Sequence, residues 1–160
     1  RIKGTDRYLD VSGYSVKDTN KNDANVQVWD LDLNNPDPDR LYRFVPVPDG
    51  QGAYVIEVQN GGRVLDMDDE NKNGANVKLW TKTFKPDQLW SPASTGDKTS
   101  FVVTSLYGSQ RNLNISASGL KEKRGNGANA QVWVATGNYN EVFEFVYADG
   151  PNKGKLFTGE

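Results

Sequence analysis

The chain has 160 residues, with 19 Lys plus Arg against 21 Asp plus Glu, a net charge of −2, 4 Trp, 16 Gly, and neither His nor Cys. That length suits one domain, whose core buries roughly two-thirds of the unfolded surface without a disulfide or metal. Lack of imidazole and thiol excludes Ser-His-Asp and Cys-His nucleophile systems and zinc sites built on those ligands, leaving carboxylate chemistry, a Ser-Lys pair or no chemistry; the near-neutral charge argues against nucleic acid as a partner.

Along the chain, the first marked element is an apolar-polar-apolar step, Leu9-Asp10-Val11, followed by Asn20-Lys21-Asn22-Asp23-Ala24-Asn25-Val26-Gln27-Val28-Trp29. Val26 to Trp29 alternates with a period near 2, which predicts a short strand. A Pro-containing loop, Asn34-Asn35-Pro36-Asp37-Pro38-Asp39, leads to Arg40-Leu41-Tyr42. Asp49-Gly50-Gln51-Gly52 and Asn60-Gly61-Gly62 read as turns around a strand Tyr54-Val55-Ile56-Glu57-Val58. The three marks then return in order as Leu65-Asp66-Met67, Asn71-Lys72-Asn73-Gly74-Ala75-Asn76-Val77-Lys78-Leu79-Trp80 and Gln88-Leu89-Trp90. They return again as Leu113-Asn114-Ile115, Arg124-Gly125-Asn126-Gly127-Ala128-Asn129-Ala130-Gln131-Val132-Trp133 and Glu141-Val142-Phe143. The Asn, Ala, Asn and Trp positions are identical in all three copies, and the Trp residues stand 51 and 53 positions apart. The tail from Asp149 to Glu160, with Gly150, Pro151, Gly154 and Gly159, reads as a linker leading out of the domain.

No stretch keeps a helical i, i+3, i+4 pattern. Three units of about 50 residues, each with about four short strands, are too few layers for a solenoid, whereas closing them on one another removes the sheet edges. The expectation is an all-β chain: a β-trefoil with pseudo-threefold symmetry and three four-stranded repeats, at about 1–48, 49–98 and 99–148, with 149–160 as tail or linker. No apolar run reaches the ~18–20 residues of a bilayer span, so no membrane insertion is expected.

Leu-Asp-Val, then Asn-x-Ala-Asn-x-Gln-x-Trp, then a second Gln-x-Trp-like step resembles the ricin-type β-trefoil lectin, or carbohydrate-binding module family 13, over residues 1 to about 148. The resemblance implies one shallow sugar pocket per repeat. An Asp of the first step accepts hydrogen bonds from adjacent hydroxyls, the first Trp stacks on a sugar face, and the pair opening the second step adds polar contacts. Carried onto this chain, the second repeat offers Asp66, Trp80, Asp87 and Gln88, with Lys78 in place of the usual Gln. The first offers Asp10, Gln27, Trp29 and Asp39, with Arg40 in place of Gln and a rim longer by about three residues. The third offers Gln131, Trp133 and Asn140; Asn114 replaces the Asp and Glu141 the Gln, which ranks it last because an amide accepts less strongly than a carboxylate.

Each residue also has a structural reading. The Gln of the first step satisfies backbone groups where strands turn, Tyr42, Trp90 and Phe143 belong to the core, and the first Trp is open to packing or stacking. Asp18-x-Asn20-x-Asn22 and Asp66-x-Asp68-x-Glu70 have calcium-loop spacing but lack the Gly at position six and the Glu at position twelve, so they read as solvated loops. Lys121-Glu122-Lys123-Arg124 reads the same way, and Asn114-Ile115-Ser116 is a chance-level sequon. The function implied is a noncatalytic module that binds galactose-like or xylose-like sugars or polysaccharide, without cofactor or metal. It would be secreted or at the cell surface and attached to a catalytic, toxin or envelope domain. The alternative is a structural or protein-interaction trefoil with decayed pockets. A glycosidase is disfavoured because family pockets hold their acids apart.

Overall fold

The computed structural model describes residues 1–12, 21–31, 33–34, 38–48, 52–59, 61–68, 70–117 and 126–159. They form ten strands and no long helix. In chain order these are β1 Arg7–Val11, β2 Val26–Asp30, β3 Tyr42–Pro46, β4 Tyr54–Val58, β5 Val64–Met67, β6 Val77–Trp80, β7 Trp90–Ser94, β8 Phe101–Ser105, β9 Asn112–Ile115 and β10 Ala130–Trp133. Short 3-10 turns at Pro38–Arg40, Pro86–Gln88 and Tyr139–Glu141 occupy equivalent places in the three units.

Half of the structure is a barrel in which the last strand of each unit pairs with the first of the next. β3 pairs with β4 from Tyr42↔Val58 to Pro46↔Tyr54, and β7 with β8 from Trp90↔Ser105 to Ser94↔Phe101. Phe143 closes the ring by bridging both Ile2 and Phe101. The remaining strands of this layer are therefore reduced to bridges at Ile2 and Phe143. Fully buried Trp90 donates its indole N–H to Leu65 O at 3.1 Å, and Phe143 is likewise buried. Tyr42, expected in the core, is only half-buried against it.

The other half is three hairpins, β1–β2, β5–β6 and β9–β10, gathered on the pseudo-threefold axis. The alternation in β2, β6 and β10 puts Val26 and Val28, Val77 and Leu79, and Ala130 and Val132 inside. Gln27, Lys78 and Gln131, with the three Trp, share the outer face. At the axis the repeated Asn residues form a closed ring. Asn76 Nδ2 donates to Asn25 Oδ1 at 2.9 Å, Asn25 to Asn129 at 2.7 Å, and Asn129 to Asn76 at 2.8 Å. Backbone bonds obey the same rotation: Leu79 N to Ala24 O, Val132 N to Ala75 O, and Val28 N to Ala128 O. The invariant Ala and Asn of each copy therefore join the repeats to one another. The expected β-trefoil is the fold observed.

Val146 bridges Leu156, Phe157 N donates to Phe145 O at 2.7 Å, and the Phe157 ring stacks on Phe101 at 5.8 Å. Leu156 and Phe157 of the segment read as an exit linker thus pack on the barrel, the latter by an aromatic contact that the surrounding Gly and Pro conceal, while residues 149–155 are exposed. Among the described residues no helix is long and apolar enough to cross a membrane.

Candidate functional site

In each repeat the outer face of a hairpin and the following 3-10 turn bring the family-matched residues together, but on different terms. In the second repeat Asp66 is buried and accepts from Gln88 Nε2 at 3.0 Å. Gln88 is fully buried: its Nε2 also donates to Thr81 O at 2.9 Å, and its Oε1 accepts from Thr83 N at 2.8 Å and Phe84 N at 3.2 Å. With every amide atom so engaged, Gln88 holds the turn and the carboxylate in place. Asp66 Oδ1 takes no hydrogen bond from the described residues. Desolvation, together with nearby Asp87 and Asp68, lifts Asp66 to about 6 against the opposing effects of Gln88 and Lys78.

This carboxylate lines a cavity of about 220 Å³ with Asp68, Lys78, Trp80, Thr83, Lys85, Asp87 and Gln88. The volume is below the ~300–1,000 Å³ of drug-sized pockets and suits a single small ring. Trp80 is half-exposed at its wall, with the Lys78 ammonium 4.7 Å from the ring centroid. Lys78 Nζ pairs with Asp23 Oδ1 at 2.9 Å and Asp68 Oδ1 at 2.5 Å, so Lys78 takes no part in holding Asp66. An open acceptor, an ammonium and an indole face around one small cavity can grip a polyol ring through hydrogen bonds and C–H contacts.

The first repeat places Asp10, Gln27, Trp29 and Asp39 in the equivalent positions, but both Asp10 oxygens are already taken. Gln27 Nε2 donates to Oδ2 at 2.9 Å and Arg40 Nε to Oδ1 at 2.9 Å. Arg40 continues to Asp30 O at 2.8 Å, which locks it across the site. Asp39 is buried and Trp29 is 37% exposed. Residues 35–37 of the longer rim lie outside the described residues.

In the third repeat Gln131 Nε2 donates to Asn114 Oδ1 at 3.1 Å, and Asn140 Nδ2 to the same oxygen at 3.3 Å and to Ile115 O at 2.9 Å. Trp133 remains 37% exposed, and the adjacent Val134 and, six residues on, Tyr139 are exposed as well. Asn114 is buried, so its sequon is closed to modification as the fold stands.

Sequence reasoning passed over an Arg three residues before each first-step Asp or Asn: Arg7, Arg63 and Arg111. Arg63 Nε donates to Asn22 Oδ1 at 2.9 Å, and Arg111 Nε to Asn73 Oδ1 at 2.8 Å. Asn22 and Asn73 in turn accept from Thr81 N and Val134 N, both at 2.9 Å, fixing one repeat's loop beside the next repeat's Trp. The phase-locked recurrence of Arg was the signal available. Of the calcium-like motifs, Asp18 and Asn20 lie outside the described residues. Asp68 is paired with Lys78, and Glu70 with Lys72 at 2.9 Å. No metal-holding group of His, Cys, Asp and Glu occurs among the described residues. The basic cluster at 121–124 also lies outside them.

A sequence model of the family described as ricin-type beta-trefoil lectin domain-like matches residues 1–80 and 39–133. No curated protein matches the chain. Among solved structures, the designed threefold-symmetric protein ThreeFoil matches at TM-score 0.72 and 22% identity, over 85% of this chain and 87% of its own. The exo-β-1,3-galactanase 1,3Gal43A from Clostridium thermocellum matches at 0.69 and 21% identity, over 99% of this chain and 31% of that one. The C-half of the earthworm R-type lectin, in complex with GalNAc, matches at 0.55 and 17% identity, over 84% and 86%. The chain therefore spans about a third of the length of the galactanase. At these identities the likeness is one of fold.

Proposed function

The chain belongs to the ricin-type β-trefoil lectin domain-like family, and on that premise we propose that it is a noncatalytic carbohydrate-binding module working through the second-repeat pocket. One observation carries the reading: buried Asp66 keeps an oxygen without a hydrogen bond among the described residues, in the same cavity as the Trp80 indole. A carboxylate acceptor beside an aromatic face matches a pyranose with adjacent hydroxyls. Asp87 lines the rim and Gln88 holds Asp66 from behind.

The galactose-like choice draws support from the GalNAc complex of the earthworm lectin; a xylose-like ring satisfies the same acceptor and stacker. Attachment to a larger protein, which the module would direct to glycans outside the cell or at its surface, is part of the proposal; the galactanase, 31% of which this fold matches, supports only the attachment. The alternative, a trefoil retained for structure, fits the first repeat, where Arg40 occupies Asp10. Titration with methyl galactosides and xylosides tests the reading. The intact chain binds one of them in the ~mM to tens of μM range of a single shallow site, and Asp66→Ala and Trp80→Ala each lose it.

A further inference from the structure

The Gln-to-Lys change at position 78 does more than remove a Gln. In the other repeats the outward Gln is spent internally, Gln27 on Asp10 and Gln131 on Asn114. Lys78 is the register partner of Asp66 across β5–β6, so the two side chains stand on one face, yet the ammonium goes to Asp23 and Asp68. Asp66 is thereby left with an open oxygen and the ammonium lines the cavity beside it. An ammonium has three protons, and two are committed to carboxylates.

We propose that Lys78 is a specificity-determining residue of this pocket, donating its third N–H to a sugar oxygen adjacent to the hydroxyl held by Asp66, and that Asp23 of the first repeat is its positioning residue. The inference rests on the sugar-binding reading above. An acceptor and a donor that are register partners and line one cavity with an indole are complementary to a vicinal diol, one hydroxyl donating a hydrogen bond to Asp66 and its neighbour's oxygen accepting one from Lys78. The pocket is thus completed across a repeat boundary. Asp23 stands where the other copies have Gly74 and Gly127, and it adopts φ 72°, a left-handed conformation that disfavours a side chain. Its carboxylate is 66% exposed, so the ion pair contributes little to stability. Its distinctive consequence is where it holds the ammonium.

The sequence itself supplies gentle variants: Lys78→Gln restores the residue of the other repeats, and Asp23→Gly restores theirs at a positive φ. Calorimetric titration with methyl β-galactoside and methyl β-xyloside, on the full chain with melting curves as a folding check, is expected to show Kd raised about tenfold by Lys78→Gln, the worth of a charged hydrogen bond. Asp23→Gly is expected to raise it about threefold alone and not at all in the Lys78→Gln background, since Asp23 acts through Lys78. The monodeoxy sugar lacking the hydroxyl read by Lys78 loses affinity for the wild type and not for Lys78→Gln, which a merely structural lysine would not produce. Unchanged or tighter binding by Lys78→Gln overturns the proposal while leaving the lectin reading intact. An Asp23→Gly effect that persists without Lys78 overturns the positioning role. Failure of the folded wild type to bind either glycoside overturns the lectin reading itself, and this inference with it.

Discussion

Asn114 donates its Nδ2–H to Glu141 Oε2 over a long 3.5 Å, the reverse in polarity of Gln88 donating to Asp66 over 3.0 Å. The outer ends correspond as well: Glu141 Oε1 accepts from Thr136 N and Gly137 N at 2.6 Å, as Gln88 Oε1 does from Thr83 N and Phe84 N. The first repeat solves the same problem with Arg40 donating to Asp10. Every repeat thus sets one donor against one acceptor at this point, and none sets two carboxylates together. Asn114 and Glu141, each a departure from the family pattern, compensate one another.

Asn114→Asp alone therefore brings a second carboxylate against buried Glu141 and is expected to cost about 2 kcal/mol or more at pH 7. Asn114→Asp with Glu141→Gln reproduces the second-repeat pair and recovers stability to within about 1 kcal/mol. Urea unfolding measures both, and a single variant as stable as the wild type contradicts the compensation.

Sugar binding is expected to fade as pH falls through about 6, because burial holds Asp66 at about 6 and the protonated acid accepts less well. The groups facing it are Asp87, Asp68, Lys78 and the amide of Gln88. Stability moves oppositely. The folded value lies above the ~3.9 of the unfolded chain, so the folded state binds the extra proton, and this group's contribution to stability rises as pH falls from 7 towards 4. Titrations at pH 5 and 7 with parallel melting curves separate lost affinity from acid unfolding. Binding equally strong at both pH values contradicts the role of Asp66.

Asn76→Ala opens the ring on the pseudo-threefold axis and leaves a donor on Asn129 and an acceptor on Asn25 unmatched. A loss of about 1 kcal/mol is expected from these half-buried groups. Replacing Asn25, Asn76 and Asn129 together is expected to cost less than three times the single change, since the ring is already broken by the first. Thermal unfolding of the single and triple variants measures the difference.

Phe157→Ala removes a ring that stacks on Phe101 and Phe145. A loss of about 1–2 kcal/mol and faster proteolytic cleavage near Gly150–Gly154 are expected if the docked tail stabilises the barrel. Unchanged stability and protease resistance contradict that.

The threefold architecture was legible because its marks repeat in phase: the identical Ala and Asn make the inter-repeat bonds, and the alternation around each Trp sets the outer face. The site was legible only as a set of positions. That Gln88 is buried behind Asp66, that Arg40 closes the first pocket, and that Lys78 turns to Asp23 are contacts between distant segments, for which one sequence has no periodic signal. Substitutions that looked like separate losses at Asn114 and Glu141 become one exchange only when their atoms meet. The docking of Phe157 was hidden because a single aromatic among Gly, Pro and Lys resembles a linker.

Whether Asp66 and Trp80 form a working sugar site is decided by titrating the folded chain and its Asp66→Ala and Trp80→Ala variants with methyl β-galactoside and methyl β-xyloside. The wild type is expected to bind at least one glycoside at millimolar concentration or tighter, and both folded variants to lose that binding. No binding by the wild type at millimolar glycoside, or binding that survives both substitutions, would contradict it.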